Sequence, residues 1–445
     1  MRPSTYLRAR APTGPTGSGG RDEVSSRRIR PAENYRERDV AHARKLSAPA
    51  KDMAGRITRS KTMNAPVKFY IPEIIFGDDA MTEAGYAAGR LGARRVFVVT
   101  DPGLIEAGWV AELAGYLHES GIPFVVWHGV TPNPKDYEVR AGYEAYAESG
   151  CDVIIGLGGG SVIDAAKAVA VLATNRGSIL DYEGVDRVKA AIPPLIMIPS
   201  TAGTGADVSQ FCVITDTSRR LKATLIGRAL VPNLSITDPR LLSTMPSELR
   251  GATGLDALTH GIEAFVSKAA SVLTDTHALE AVALVSANLL PTIDVPGHPT
   301  HRAAMARASL GAGVAFTNAI LGATHAMSHQ VGGALDLPHG VVNGVLLPHV
   351  IRFNAVLNAG RLRPVALALG LEVAGKPDDV VAEETAEAVR SLAEAVGVPR
   401  TLSELGVTAQ DIPLLAANTL LDACLTTNPR DATVDDISAV FHAAL

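Results

Sequence analysis

Short apolar runs alternate with amphipathic stretches through the first half of this 445-residue chain. The runs have the length of buried strands, and they lie at 95–100, 123–127, 152–157 and 194–199. Apolar positions with helical spacing lie between them, at 105–119, 136–149 and 161–173. Strands and helices that alternate in this way predict an α/β fold, a parallel sheet with helices on both faces.

The strand pattern ends near residue 240. Long stretches rich in Ala and Leu follow at 247–268, 274–291, 300–317, 321–334, 342–358 and 378–396. Their spacing is helical, and strand-like runs are almost absent among them. We therefore expect an all-α domain over 241–445 after an α/β domain over 63–240, with the boundary near Asp238 and Pro239.

The first 62 residues differ in composition from the rest of the chain. They are rich in Arg, Pro, Gly and Ser, and they hold 15 Lys or Arg against 6 Asp or Glu. Such a segment buries too little apolar surface to offset the entropy of ordering, so we expect a disordered basic extension over 1–62. It is a solvated tail, a basic arm for an acidic partner, or the product of a start codon placed too early. We favour the last interpretation, with Met63 as the true start.

Composition narrows the class of protein further. The net charge is -5 although the first segment is basic, so the body is acidic, which argues against nucleic acid as the main partner. The three cysteines, Cys151, Cys212 and Cys424, lie far apart, which excludes a disulfide scaffold and fits a reducing cytoplasm. No apolar run approaches the roughly 20 residues that span a bilayer, and no secretory signal is visible. We expect a cytoplasmic protein without a membrane partner.

Glycine-rich or acidic loops follow three of the predicted strands. The loop from Gly156 to Ser161 precedes a helix, whose free N–H groups and dipole attract a phosphate. A tight turn without a ligand is the alternative, because the spacing departs from G-x-G-x-x-G. The loop from Ser200 to Gly205 is either a crevice lining or a plain polar loop. Asp101 either binds an adenosine ribose, which favours NAD, or shapes an Asp-Pro-Gly turn.

A group of histidines and one aspartate lies in the helical half. Asp256 and His260 are four residues apart, so both project from one face of a helix, and His325 and His329 repeat that spacing. His339 follows closely. One carboxylate with two or three imidazoles suits Zn or Fe(II), provided that the ligands converge on one ion. The alternative is a set of structural histidines without a metal.

These features together resemble the iron-containing (group III) alcohol dehydrogenase family. The resemblance covers about five-sixths of the chain, from near residue 70 to the end. The matching stretches are 158–161, 164–167, 199–205, 213–216, 254–263, 325–329, 337–340 and 428–430. The resemblance implies a Rossmann-like, parallel-sheet NAD-binding domain followed by an all-α metal-binding domain, the dehydroquinate synthase-like architecture, with the active site between them. It also implies a homodimer or a larger homo-oligomer.

The resemblance implies the roles of individual residues as well. The family's metal ligands fall on Asp256, His260, His325 and His339. His329 matches a position beside the metal and is expected to relay a proton or contact substrate. The cofactor-binding positions fall on Asp101, Asn133, Gly159, Gly160, Ser161, Asp164, Thr201, Thr204 and Lys222.

Three functions are compatible with these residues. The first is an NAD-dependent, Fe(II)-dependent dehydrogenase of short alcohols or diols that also reduces the aldehydes, with Zn as an alternative metal and NADP as a less favoured cofactor. The second is a dehydrogenase-like regulatory protein with little or no turnover. The third is an enzyme that keeps its nucleotide bound and passes hydride to an external acceptor. Phe211, Phe316 and Asn318 are candidates for the substrate pocket.

Overall fold

The computed structural model of the chain describes residues 67–445. The basic extension predicted over 1–62 therefore lies outside the described residues. The described residues belong to one compact unit. The division of that unit into two domains near residue 240 stays a prediction.

A six-stranded parallel sheet forms the first half of the described chain. The described strands are β1 (Glu73–Phe76), β2 (Val96–Val99), β3 (Phe124–Trp127), β4 (Val153–Gly158), β5 (Gly184–Val185), β6 (Leu195–Pro199), β7 (Phe211–Asp216), β8 (Leu221–Ile226) and β9 (Leu234–Thr237). The six strands of the parallel sheet lie in the order β1-β9-β6-β4-β2-β3. A smaller sheet has the order β5-β8-β7 and contains an antiparallel hairpin.

Five helices accompany the sheet and cover both of its faces. They are α1 (Ala84–Arg90), α2 (Pro102–Glu106), α3 (Trp109–Glu119), α4 (Asp136–Ser149) and α5 (Gly160–Thr174). Side chains of β2 point alternately to opposite faces, as strand geometry requires. Val96 and Val98 belong to the core under α1 and α3, whereas Phe97 and Val99 belong to the core under α5. Burial on both faces explains why the central strands read as continuous apolar runs.

The second half of the chain is helical. Its helices are α6 (Ser247–Val266), α7 (Val272–Asp294), α8 (Pro299–Ala319), α9 (Ala323–Leu335), α10 (His339–Ala368), α11 (Asp378–Ala395), α12 (Ile412–Thr419) and α13 (Val434–Ala444). Short 3₁₀ turns lie at Ala80–Glu83, Ile179–Tyr182, Arg228–Leu230, Pro239–Thr244, Ser403–Leu405 and Ala423–Thr427. The predicted fold class, an α/β parallel-sheet part followed by an all-α part, is confirmed.

Among the described residues, α10 alone has the length and hydropathy of a membrane span, and 67% of its apolar window is buried inside the protein. The helix is kinked at Asn358, whose backbone leaves the helical region. The corresponding sequence prediction, a helix over 342–358, began three residues late and ended at this kink, beyond which the helix continues to Ala368.

Several elements escaped the sequence pattern. The predicted helix over 105–119 is two helices, because Gly108 adopts φ 86 between them. The edge strand β1 and the hairpin of β7 and β8 were not predicted, since short, partly polar strands lack a continuous apolar run. The two last helices, α12 and α13, were also missed.

Candidate metal centre and nucleotide site

Four side chains of types that can bind a metal converge between three helices of the second half. Asp256 and His260 lie one turn apart on α6, His325 lies in the first turn of α9, and His339 begins α10. The Nε2 atoms of His260, His325 and His339 lie 3.9, 3.7 and 3.8 Å from Oδ1 of Asp256. The tertiary structure thus brings together all four residues that the sequence singled out.

The other ring nitrogen of each histidine has its own partner. Nδ1 of His260 lies 3.2 Å from the carbonyl oxygen of Gly203, and Nδ1 of His325 lies 2.6 Å from a carboxylate oxygen of Glu263. Nδ1 of His339 lies 3.0 Å from the hydroxyl of Ser328. A carbonyl or carboxylate oxygen accepts a hydrogen bond from Nδ1–H, so in the neutral ring Nε2 of His260 and of His325 carries the lone pair.

The convergence of acceptors at this point suits a cation. Two donors on one ion lie at most about 4.2 Å apart, twice a metal–ligand distance of about 2.1 Å. The three distances from Oδ1 of Asp256 satisfy that limit, and the ligand atoms of Asp256, His260 and His325 all lie within 4.8 Å of one another. The amide Nδ2 of Asn343 turns toward the same acceptors, 2.8 Å from Oδ1 of Asp256 and 3.2 Å from Nε2 of His339. Its own Oδ1 is buried without a partner. The residues therefore fit a divalent metal ion with nitrogen and oxygen ligands.

The charge states of the buried groups also favour a cation at this centre. Burial disfavours charge on Asp256, but the surrounding imidazoles outweigh burial and lower its pKa, so the carboxylate is ionised. Burial lowers the pKa of His260 to about 4, which keeps that ring neutral at pH 7. Burial also acts on His325, yet Asp256 and Glu263 raise its pKa to about 9. Two buried carboxylates therefore stabilise positive charge at this centre.

His329 lies beside the four converging residues. Its ring stacks on the ring of His339, with centroids 5.3 Å apart, and meets the ring of His325 edge-on at 6.1 Å. Its Nδ1 lies 2.9 Å from Oδ2 of Asp422 rather than among the ligand atoms. The structure thus places His329 next to the candidate metal centre, with a different partner.

Two loops of the sheet pack against each other at its carboxyl edge. A Cβ on Gly159 would lie 3.0 Å from the side chain of Thr201, and a Cβ on Gly160 would lie 2.6 Å from that of Thr204. Such close approach explains why the loop after β4 is built from glycine. Oγ1 of Thr201 is buried without a partner. The loops form a narrow cradle in front of α5.

Three further predicted cofactor residues meet beside this cradle. The backbone N–H of Asn133 donates to Oγ of Ser161 at 3.2 Å, and the side-chain amide oxygen of Asn133 accepts from Nζ of Lys222. The amide nitrogen of Asn133 reaches across to Asp336, at the end of α9. Burial lowers the pKa of Lys222 to about 8. The ammonium therefore lies between the glycine loop and the helical half.

Asp101 and Asp164 have local partners in the fold. Asp101 caps α2 by accepting the N–H of Leu104 at 3.1 Å, which fits the interpretation of a turn residue as well as that of a ribose contact. Asp164 accepts the N–H of Val213 at 3.2 Å, and burial raises its pKa to about 6. Thr100, next to Asp101, donates to the carbonyl of Leu157, so both loops lie at the same edge.

Two of the three candidate pocket residues approach the centre. The ring of Phe316 stacks on His260 with centroids 4.4 Å apart, and Phe211 contacts Phe316 edge-on at 5.5 Å. Asn318 instead binds the backbone of Tyr70 through both ends of its amide. Both polar ends of the Asn318 side chain are therefore used in hydrogen bonds to Tyr70, near the beginning of the described residues.

Sequence reasoning missed the residues that support the centre. Glu263 lies three residues after His260 on α6, and Asn343 lies four residues after His339 on α10. Helical spacing places both on the same faces as the ligands, and this was the available signal. Ser328 has the same helical spacing from His325, whereas Asp422 lies outside the helices that carry the ligands and carried no comparable signal.

Comparisons with known proteins agree with this geometry. Residues 72–239 match the family model described as "Iron-containing alcohol dehydrogenase", and residues 251–445 match that of the "Fe-containing alcohol dehydrogenase family, C-terminal". The 1,3-propanediol dehydrogenase of Klebsiella pneumoniae is 38% identical over 379 residues, 84% of this chain and 98% of that protein. The NAD-dependent methanol dehydrogenase of Bacillus methanolicus is also 38% identical over 379 residues, 85% of this chain and 99% of that protein.

A solved structure extends the similarity to three dimensions. A 1,3-propanediol oxidoreductase superposes with a TM-score of 0.83 at 38% identity, covering 86% of this chain and all of that one. The match spans both the sheet and the helical half. The chain therefore belongs to the iron-containing alcohol dehydrogenase family and is an alcohol oxidoreductase.

Proposed function

We propose that this protein is an NAD-dependent, Fe(II)-dependent alcohol dehydrogenase that interconverts short primary alcohols or diols and their aldehydes. One observation carries the proposal. The Nε2 atoms of three histidines lie within 3.9 Å of Oδ1 of Asp256, and the ligand atoms of Asp256, His260 and His325 all lie within 4.8 Å of one another. Zn²⁺ accepts the same donors, so the choice of Fe(II) rests on the family.

The chain's own residues divide the work of the reaction. Asp256, His260, His325 and His339 hold the metal, which when bound acts as a Lewis acid toward the substrate oxygen. Glu263 and the carbonyl of Gly203 orient two of the imidazoles. His329 receives the proton that the alcohol loses.

The loops at the carboxyl edge of the sheet are proposed to bind NAD. Gly159, Gly160 and Ser161 cradle the pyrophosphate at the N-terminus of α5, where free N–H groups favour an anion. Thr201, Thr204 and Asn133 line the cofactor, and Asp164, in the first turns of α5, joins that helix to β7 by accepting the N–H of Val213. Lys222, between this cradle and α9, contacts the ribose near the nicotinamide. Asp101 disfavours the additional phosphate of NADP.

The substrate proposal rests on the apolar surroundings of the centre and on the relatives. Phe316 stacks on His260 and Phe211 packs edge-on against Phe316, so apolar aromatic surface borders the candidate metal centre. The relatives are named for 1,3-propanediol and for methanol. Short alcohols and diols are therefore the first substrates to test.

The proposed setting is a homo-oligomer in the cytoplasm. All three cysteines are free and buried, in keeping with a reducing compartment. Size-exclusion chromatography with light scattering tests the oligomeric state. A strictly monomeric active enzyme would refute that part of the proposal.

The testing experiment joins metal analysis to turnover. Protein purified without oxygen is analysed for iron and zinc, and NADH oxidation is followed with a panel of short aldehydes. We expect about one metal per chain and NADH oxidation that depends on Fe(II). Bound metal and nucleotide without turnover would favour the regulatory interpretation, and stoichiometric nucleotide released on denaturation would favour an external hydride acceptor.

A pair of histidine variants tests the metal assignment. His260→Ala removes one of four ligands, so metal content and turnover should both fall by at least about 100-fold. His301→Ala is the matched control, because His301 is half-buried and bonded to Asn288 at 2.8 Å outside the site. Full activity in His260→Ala would overturn the metal assignment.

A further inference from the structure

Asp422 connects a short C-terminal helix to the candidate active site. It caps the 3₁₀ turn Ala423–Thr427, where its Oδ1 accepts the N–H of Cys424 at 2.9 Å. Its Oδ2 accepts Nδ1–H of His329 at 2.9 Å. Both side chains are only 5% exposed, so this pair forms away from bulk water. A charged hydrogen bond in such surroundings is shorter and stronger than a neutral one.

The cap alone does not account for this arrangement. Capping needs one acceptor oxygen, and Oδ1 supplies it. Oδ2 is left for His329, with the amide of Gln330 at 3.4 Å as a second donor. The ring is held on its flat side as well, because it stacks on His339. Asp422 and this stacking together restrict both the position and the rotation of the ring.

The remaining ring nitrogen faces a different environment. Within residues 67–445, Nε2 of His329 makes no hydrogen bond. Fully buried polar atoms without a partner form a short group, and Nε2 of His329 does not belong to it. It therefore keeps accessible surface, on a ring packed against two of the four candidate ligands, His325 and His339. An imidazole whose Nδ1 donates to a carboxylate has its lone pair on Nε2.

We propose that Asp422 is the positioning residue of the dehydrogenase reaction, holding His329 in the Nδ1–H tautomer so that Nε2 accepts the substrate's proton. The inference rests on the proposed function. In the oxidation the alcohol carbon gives a hydride to NAD, the alcohol oxygen gives its proton to Nε2, and the products are an aldehyde, NADH and a protonated His329. The proton then passes to water, which restores the ring. Aldehyde reduction uses the same groups in reverse.

The substitution that tests this is Asp422→Asn. Asparagine keeps the size and one acceptor oxygen, which can retain the cap on Cys424. Its NH₂ group then faces Nδ1 of His329, two donors oppose each other, and the ring changes to the Nε2–H tautomer. We expect kcat to fall about 100-fold, within the range for a positioned proton acceptor. KM and metal content should stay within about threefold, because no metal ligand changes.

Two further variants separate positioning from structure. Asp422→Glu keeps the carboxylate, so its kcat should be at least tenfold higher than that of Asp422→Asn. Asp238→Asn is the matched control, because Asp238 caps another 3₁₀ turn by accepting the N–H of Arg240 at 3.0 Å. That control should lower the thermal unfolding temperature without lowering kcat. Equal loss of kcat in Asp238→Asn and Asp422→Asn, in proportion to stability, would overturn the proposal.

A second measurement does not depend on turnover. In the zinc-loaded protein with ¹⁵N-labelled histidine, His329 should show a protonated Nδ1 and an unprotonated Nε2, and Asp422→Asn should exchange the two signals. An unchanged tautomer in Asp422→Asn refutes the proposal even if activity falls. If the wild-type protein has no turnover but the tautomer changes as expected, the proposed function fails while the positioning by Asp422 stands.

Discussion

Glu263 provides the sharpest test of how the candidate metal centre is supported. Its carboxylate is 2% exposed. It accepts three N–H groups, those of Gly322 at 3.1 Å, Thr324 at 2.6 Å and Nδ1 of His325 at 2.6 Å. These bonds tie α6 to the beginning of α9, so the same carboxylate orients a ligand and joins two of the helices that carry ligands. Glu263→Gln preserves the volume but replaces one of the two acceptor oxygens by a donor.

The geometry sets the size of the effect. Glutamine has a single oxygen, so at least one of the three donors loses its acceptor and faces an NH₂ group instead. The lost bond is charged and buried, which corresponds to about 1.5–3 kcal/mol. Removing the partner of a metal-ligating histidine typically weakens metal binding about 10- to 100-fold. We therefore expect the metal Kd of Glu263→Gln to rise by about that factor.

The assay is competition for Zn²⁺ between metal-free protein and a coloured chelator, which reports Kd without any turnover. Glu138→Gln is the matched control. Glu138 is also a buried carboxylate, accepting from Oγ1 of Thr131 at 2.6 Å and from the N–H of Lys135 at 3.1 Å, in the sheet half of the protein. A Kd for Glu263→Gln within threefold of wild type would refute the reasoning. Equal weakening in both variants would show a general loss of stability instead.

Two further predictions concern the nucleotide site. Gly160→Ala should raise KM for NAD about tenfold with little change in kcat, because the new Cβ lies 2.6 Å from Thr204 and relieving such overlap costs about 1–3 kcal/mol. The control in steady-state kinetics is Gly115→Ala, on a helix where no atom lies within 4 Å of the new Cβ. An unchanged KM for NAD in both variants would contradict the proposal that Gly160 belongs to a tight cofactor cradle. Burial raises the pKa of Asp164 to about 6, so its carboxyl favours the folded state only while protonated and that contribution is lost as pH rises through 6. The stability of Asp164→Asn relative to wild type should therefore increase by about 1.5 kcal/mol between pH 5 and pH 7.5 in urea unfolding, whereas a constant difference would contradict the raised pKa.

Local pattern in the sequence was enough for the main elements of this fold. The strands near 95–100, 152–157 and 194–199 were predictable because β2, β4 and β6 are buried on both faces, and such strands need uninterrupted apolar residues. The spacing of Asp256 and His260 was informative for a similar reason, since α-helical periodicity alone places them on one face. Relations between neighbours in sequence are therefore visible without a structure.

The support of the site depended on tertiary structure. Glu263 and His325 are 62 positions apart, Asp256 and Asn343 are 87 apart, and His329 and Asp422 are 93 apart. No local periodicity connects residues on different helices, and the packing of α6, α9 and α10 decides which polar groups meet. Short strands with interrupted apolar runs, such as β8, depend on tertiary structure for the same reason, because pairing with a neighbouring strand stabilises them. The sequence thus predicted a candidate set of metal ligands from local spacing and family resemblance, whereas the tertiary structure decided which groups orient them.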